Sequence, residues 1–219
     1  MQTIDRALLL MFFRSTANRL EENRDMLCAL DGEVGDGDHG TSMANGFAAV
    51  IAAQRDNLKA GDPPDAVLRD AATSFLSEVG ATVGPLYAGA FLQASKAVPV
   101  DGGLPLTALG SLIAAFAEGI ERRGNAKLGD KTMLDAWLPA AHAAKEQEAL
   151  GADPATVARH AAEAAERGAR TTATMIASRG RAARLKERSL GHPDPGAVSA
   201  AMILRSLAEV IEQTAQAPE

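Results

Sequence analysis

Apolar residues recur at helical spacing along almost the whole chain, and short Gly/Pro/Asp breaks separate the runs. The pattern predicts eight helices, at roughly 3–29, 41–57, 63–79, 84–98, 105–123, 131–148, 153–179 and 195–216. The breaks are Gly61-Asp-Pro-Pro64, Asp101-Gly-Gly103, Gly124 to Gly129, Gly151-Ala-Asp-Pro154 and the 180–194 stretch. Thr41 or Ser42 suits an N-cap, as does Asp130, and Asp153-Pro154 reads as an N-cap followed by the first helical position. Alternating β-branched residues are absent, so no strand is expected. The fold class is all-α. No low-complexity linker divides the chain, so residues 1–219 are read as one domain.

Composition narrows the function. Apolar residues are 47% of the chain and aromatics only 4%; alanine dominates, which suits closely packed helices. Ala140–Ala173 carries charges of both signs and reads as helix with a solvated face. A net charge of −6 argues against direct nucleic-acid binding, which needs a basic face. The single cysteine, Cys28, excludes an internal disulfide and a multi-Cys zinc site. No apolar run reaches the roughly 18 residues of a membrane span, and Leu8–Phe13 is too short for a signal segment. A cytoplasmic protein is expected.

The chemistry is concentrated in Asp31-Gly-Glu-Val-Gly-Asp36-Gly-Asp38-His39-Gly40. Three carboxylates on a glycine-rich loop repel each other unless a cation sits among them. Oxygen-only ligands favour Mg²⁺ or Ca²⁺ over zinc. An EF-hand is excluded by spacing: counting from Asp36, the twelfth position is Phe47, and from Asp31 it is Ser42. His39-Gly40-Thr41-Ser42 then opens a helix, whose free N–H groups and positive dipole end bind phosphate. The loop is therefore expected to hold the metal, and the helix start the phosphates which that metal bridges. A P-loop motif is absent.

Three other segments fit a phosphate ligand. Val79-Gly-Ala-Thr-Val-Gly-Pro85 leads into a helix, and Gly124 with Gly129-Asp130-Lys-Thr-Met133 leads into another. Met133 is placed to pack a nucleobase, or else to fill core. Gly191-His192-Pro193-Asp194-Pro195-Gly196 is a second Gly/Asp/His loop. Before it lies a basic strip bearing Arg179, Arg181, Arg184, Lys186 and Arg188. His39 and His192 are expected to hydrogen-bond a neighbouring carboxylate or phosphate, with a carrier or general-base role as the alternative.

Gly35-Asp-Gly-Asp-His-Gly40, Gly80-Ala-Thr-Val-Gly-Pro85, Gly129-Asp-Lys-Thr-Met-Leu-Asp135 and Gly180-Arg through Glu187-Arg-Ser-Leu-Gly-His-Pro-Asp-Pro-Gly196 resemble, in order and spacing, the nucleotide-binding L subunit of dihydroxyacetone kinase. The resemblance spans nearly the whole chain. It implies an antiparallel eight-helix barrel with the nucleotide at one end. It implies that Asp31, Asp36 and Asp38 hold two Mg²⁺ ions, and that His39, Gly40, Thr41 and Ser42 form the phosphate-binding helix start. Thr82 and Val83 resemble residues lining the nucleotide, and Gly124 and Met133 the adenine surroundings. Arg181 resembles the arginine near the transferring phosphate, giving a catalytic set of Arg181, Asp36 and Asp38. Asp194, Pro195 and Gly196 resemble the closing nucleotide loop.

The resemblance further implies ADP or ATP as cofactor and a separate K subunit that holds dihydroxyacetone. This chain has no room for a K domain. That favours the PEP-dependent branch, in which a phosphotransferase-system M subunit recharges bound ADP, or else a split ATP-dependent kinase. His39 also fits that branch; Ser42 departs from the Asn often found there. A contact with a transcription regulator, and a homodimer or K–L heterotetramer, are further implications. The alternatives are an ATP-dependent kinase for another acceptor, such as a tetrose or a partner-bound fatty acid, and a nucleotide-dependent regulatory module.

Overall fold

The computed structural model describes residues 2–59, 61–80, 82–101 and 103–216. Ala81 of the 79–85 segment and Gly102 of the 101–103 break, together with residues 217–219, lie outside the described residues. Nine α-helices are present among the described residues: α1 Arg6–Glu22, α2 Arg24–Val34, α3 His39–Asn57, α4 Pro64–Glu78, α5 Val83–Ala97, α6 Leu109–Gly124, α7 Leu134–Ala149, α8 Pro154–Thr171 and α9 Pro195–Gln216. Short 3₁₀ turns cover Leu106–Ala108, Thr172–Thr174 and Ala182–Ser189.

Eight of the nine helices close a ring. Helix α1 packs on α3, each helix from α3 onward packs on its successor, and α9 returns to α1. Neighbours run antiparallel. Gly46 early in α3 meets Phe75 late in α4, and Gly89 early in α5 meets Gly119 late in α6. Gly110 at the start of α6 meets Ala144 late in α7, and Gly168 late in α8 meets Asp135 early in α7. Gln2, just before α1, donates to the carbonyl of Thr214 near the end of α9. Helix α2 lies outside the ring against α3 and α9.

Small residues permit the close approaches. A Cβ on Gly168 would lie 1.9 Å from the Asp135 carbonyl oxygen, and one on Gly119 would lie 2.4 Å from that of Gly89. The few aromatic residues gather inside the ring. Phe12, Phe13, Phe47, Phe75, Tyr87, Phe91, Phe116 and Trp137 form a continuous run of ring contacts, with centroids 5.2–6.5 Å apart. No helix among the described residues is long and apolar enough to cross a membrane.

Several expected boundaries move, each for a local reason. The single helix expected at 3–29 starts at Arg6, where the Asp5 carboxylate accepts from the Leu8 amide at 2.9 Å. It then breaks at Asn23, whose side-chain amide donates to the Arg19 carbonyl at 2.8 Å and so competes with the helical bond. The second piece, α2, runs on to Val34, so Asp31 is helical rather than in a loop. Helix α8 stops at Thr171, eight residues before the expected end at 179. Thr3–Ile4 (β1) and Leu104–Pro105 (β2) form a two-residue antiparallel pair that the pattern did not announce. Asp153 caps α8 as expected, accepting from the Thr156 amide at 2.9 Å.

Candidate functional site

Alternating direction around the ring brings four helix N-termini to one end. Those of α3, α5, α7 and α9 surround a cleft of about 490 Å³. Asp38, His39 and Ser42 come from the start of α3, Thr82 and Val83 from that of α5, Met133 from just before α7, and Asp194, Pro195 and Gly196 from that of α9. Between them stand Asp31 and Val34 of α2, and Ile120, Arg123 and Gly124 at the end of α6. Arg179, Gly180 and Arg181 form part of the rim. Four positive dipole ends thus face one space, which favours an anion there, although the amides of His39, Leu134 and Ala197 are already taken by the Asp31, Thr132 and Asp194 side chains.

The three aspartates come together at its edge. One oxygen from each of Asp31, Asp36 and Asp38 lies within 4.8 Å of the others. Asp31 is nearly buried and also organises the start of α3: its Oδ2 accepts from the amides of Asp38 at 3.0 Å and His39 at 3.3 Å. The cap of α3 is therefore supplied by the preceding helix, and neither Thr41 nor Ser42 performs it. Desolvation first, and then the charge of Asp36, raise the Asp38 carboxyl above the usual carboxylate range; Arg181 opposes them. Arg181 pairs with Asp36 and reaches Asp38 at 3.7 Å. Three crowded hard oxygen donors, offset by only one guanidinium, fit a divalent cation such as Mg²⁺.

His39 is buried, with Nε2 2.9 Å from the Ser199 hydroxyl of α9, and Ser199 donates to the Gly196 carbonyl. Burial lowers its pKa to about 4, against an opposing effect of Asp31. The imidazole is thus neutral near pH 7 and serves as a hydrogen-bonding group. Asp194 is half-buried at the start of α9, where its carboxylate accepts from the Ala197 amide at 2.8 Å. Desolvation raises its pKa to about 7.

Two expected contacts fall away from the cleft. Gly40 packs under α2, where a Cβ would sit 2.0 Å from the Arg24 carbonyl oxygen. Thr41 is exposed, with its hydroxyl 3.5 Å from the Cys28 sulfur. Asp130 does not cap α7. It accepts from the Lys127 amide and the Ser178 hydroxyl, and those bonds hold its carboxyl below the usual range. Asp135 instead accepts from the Gly129 and Thr132 amides at 2.6 and 2.8 Å and so shapes the turn into α7. His192 lies 3.9 Å from Glu33. Sequence reasoning overlooked Lys131, which borders the cleft yet is almost fully buried. Its only signal was its place inside the Gly129–Met133 turn.

The DAK2 domain model matches residues 33–209, a span that holds every element bordering the cleft except Asp31. The chain belongs to the DAK2 domain family. It is 36% identical over 205 residues to the "PEP-dependent dihydroxyacetone kinase 1, ADP-binding subunit DhaL" of Listeria innocua serovar 6a, covering 94% of this chain and 96% of that one. It is also 36% identical over 186 residues to the corresponding DhaL subunit of Escherichia coli K12, covering 84% of this chain and 87% of that one. Among solved structures, the DAK2 fold matches the dihydroxyacetone kinase of C. freundii in complex with AMP-PNP and Mg²⁺. The TM-score is 0.69 at 26% identity, over 95% of this chain and 35% of that kinase. This chain thus spans about a third of that kinase and nearly all of the separate DhaL subunits.

Proposed function

We propose that this chain is the ADP-binding L subunit of a dihydroxyacetone kinase, a single domain over residues 1–219. It passes phosphate from a Mg²⁺-bound adenine nucleotide to dihydroxyacetone, or a similar short ketose, held on a separate K subunit. The carrying observation is the cluster of Asp31, Asp36 and Asp38 at the edge of a cleft ringed by four helix N-termini. The three carboxylates hold the metal, read here as two Mg²⁺ ions, which when bound neutralise phosphate charge and fix the phosphate geometry. The start of α3 with Ser42, and the start of α9, offer N–H groups to phosphate oxygens. Val83, Gly124 and Met133 give the less polar wall for the base. Arg181, already beside the carboxylates, offsets charge that develops during transfer. Neutral His39 donates or accepts a hydrogen bond and carries no phosphate.

The printed names of the DhaL relatives, ADP-binding subunits of PEP-dependent dihydroxyacetone kinases, support a multi-subunit system recharged by a phosphotransferase-system M subunit. We place it in the cytoplasm, where such donors act. A transcription regulator as further partner, and a homodimer or K–L heterotetramer as the assembly, complete the reading.

The test is to purify the protein from cells, denature it and identify released nucleotide by chromatography. ADP in near-equal amount to protein means a retained cofactor recharged by another protein. An empty site that binds and exchanges ATP with Mg²⁺ means an ATP-dependent kinase. No affinity for either nucleotide would sink the reading.

A further inference from the structure

We propose that Lys131 is a positioning residue: its buried ammonium ties the two ends of segment 175–192 to the turn before α7, and so holds Arg181 against the carboxylate cluster. Lys131 is 1% exposed and lies next to the cleft. Its Nζ donates to the carbonyls of Met175 at 3.1 Å, His192 at 2.7 Å and Ser189. An ammonium has three N–H donors, and all three are spent on these carbonyls. It therefore has none to offer a phosphate, although it stands close enough to the cleft for that role to be assumed.

The acceptors sit at both ends of one excursion of the chain. Met175 opens the segment that carries Arg179 and Arg181, and Ser189 and His192 close it. Among the described residues no helix or strand pairs with this segment along its length; apart from Lys131, its ties run within its own ends, to Asp130 through Ser178 and Arg179, and to the carboxylate cluster through Arg181. Ser189 Oγ accepts from the Ala177 amide, the Gly191 amide donates to the Ala173 carbonyl, and the Ser178 hydroxyl donates to Asp130, next to Lys131. Among the described residues, Lys131 alone joins both ends to a third element. It does so from a left-handed backbone conformation (φ 59°) that a side chain rarely adopts, beside Gly129 at φ 90°. A buried ammonium without a carboxylate in contact is costly, and so is that backbone. Both costs are compensated only if the segment is held. Burial accordingly lowers the Lys131 pKa, and the charge of Asp194 opposes this.

The proposal rests on the role given to Arg181 above, and its test has two arms. The first needs no nucleotide. Lys131→Met and wild type are digested briefly with trypsin, and the first cut is mapped by mass spectrometry. The expected result is earlier cutting after Arg181, Arg184, Lys186 or Arg188 in the variant, with helix content and thermal midpoint near wild type. Unchanged protection overturns the tie. Should Lys131→Met not fold, hydrogen exchange of the 175–192 amides in Ser178→Ala, which loses the Ser178 hydroxyl bonds to Asp130 and keeps every Lys131 bond, takes its place. Protection lost throughout the segment there would mean that Lys131 does not hold it, and would overturn the tie; loss confined to residues near 178 supports it.

The second arm is phosphotransfer with the K subunit. Lys131→Met should lower kcat about as much as Arg181→Ala, on the order of 10²-fold, with a much smaller change in nucleotide affinity. Added to Arg181→Ala, it should cost little more. Additive losses, or a loss confined to nucleotide affinity, overturn the positioning role. A wild-type chain with no nucleotide affinity would instead sink the kinase reading, and the tryptic arm would then decide the tie alone.

Discussion

Asp36→Asn should make the protein more stable without metal and less stable with it. The side chain is about half exposed, as is that of its partner Arg181. Asp36 is crowded by two like charges, Asp31 and Asp38, with oxygens within 4.8 Å, and is paired with one guanidinium. Unit charges about 4 Å apart in water interact by about 1 kcal/mol. Two repulsions against one attraction leave a net cost of about 1 kcal/mol, which exposure and salt reduce further. In EDTA the variant should therefore melt at or slightly above wild type, by at most about 2–4 °C for a chain of this length. With Mg²⁺ and ADP the order should reverse. Ligand at 100 times its Kd stabilises the folded state by about 2.7 kcal/mol. Losing a direct metal ligand weakens binding at least as much as losing an outer-shell partner, about 10–100-fold. About half or more of the ligand-induced rise of about 5–10 °C should then vanish, and phosphotransfer should fall by at least about 10²-fold. Thermal denaturation in EDTA, in Mg²⁺ and in Mg²⁺ with ADP decides the matter. An equal ligand-induced rise in both proteins would refute the metal assignment.

Asp194 predicts a pH dependence. Its folded pKa, about 7, lies above the unfolded value of 3.8, so between those values the folded state binds the extra proton. Stability should fall as pH rises through that window, with a slope of up to about 1.4 kcal/mol per pH unit. Asp194→Asn should flatten the slope in urea titrations from pH 4 to 8; an unchanged slope refutes the assignment. Gly168→Ala should lower stability by about 1–3 kcal/mol through its clash with the Asp135 carbonyl, read as a lower urea midpoint. A neutral effect would mean that α7 and α8 separate without cost. Lys131→Met should expose the 175–192 segment to trypsin while leaving the fold intact.

Much of the fold was legible because the ring is made of amphipathic helices, and helical periodicity is local information. The last helix was read at its observed bounds, 195–216, and Asp153-Pro154 opened α8 as read. The failures share a cause. Asn23 breaks a helix through its own side chain without interrupting the apolar pattern. Asp31 and Gly32 look like a loop, yet they stay helical, and the Asp31 carboxylate then receives the first amides of α3. The two-residue pairing of Thr3–Ile4 with Leu104–Pro105 joins positions about a hundred residues apart, and no window contains both.

The candidate site divides in the same way. The sequence alone singled out the candidates for chemistry: three clustered aspartates, glycine-bearing helix starts and a basic segment. Residue type and short spacing suffice for that, because carboxylates on a Gly-rich turn stay neighbours whatever the rest of the chain does. Only the tertiary structure decided which of them meet. Antiparallel packing around a closed ring places every second N-terminus at the same end, so Ser42, Thr82, Met133 and Gly196 share one cleft although about 150 residues separate the first from the last. The same packing turns Gly40 and Thr41 toward α2 and buries Lys131 beneath the segment it holds. Helix phase and burial depend on neighbours distant in sequence, and no local pattern records them.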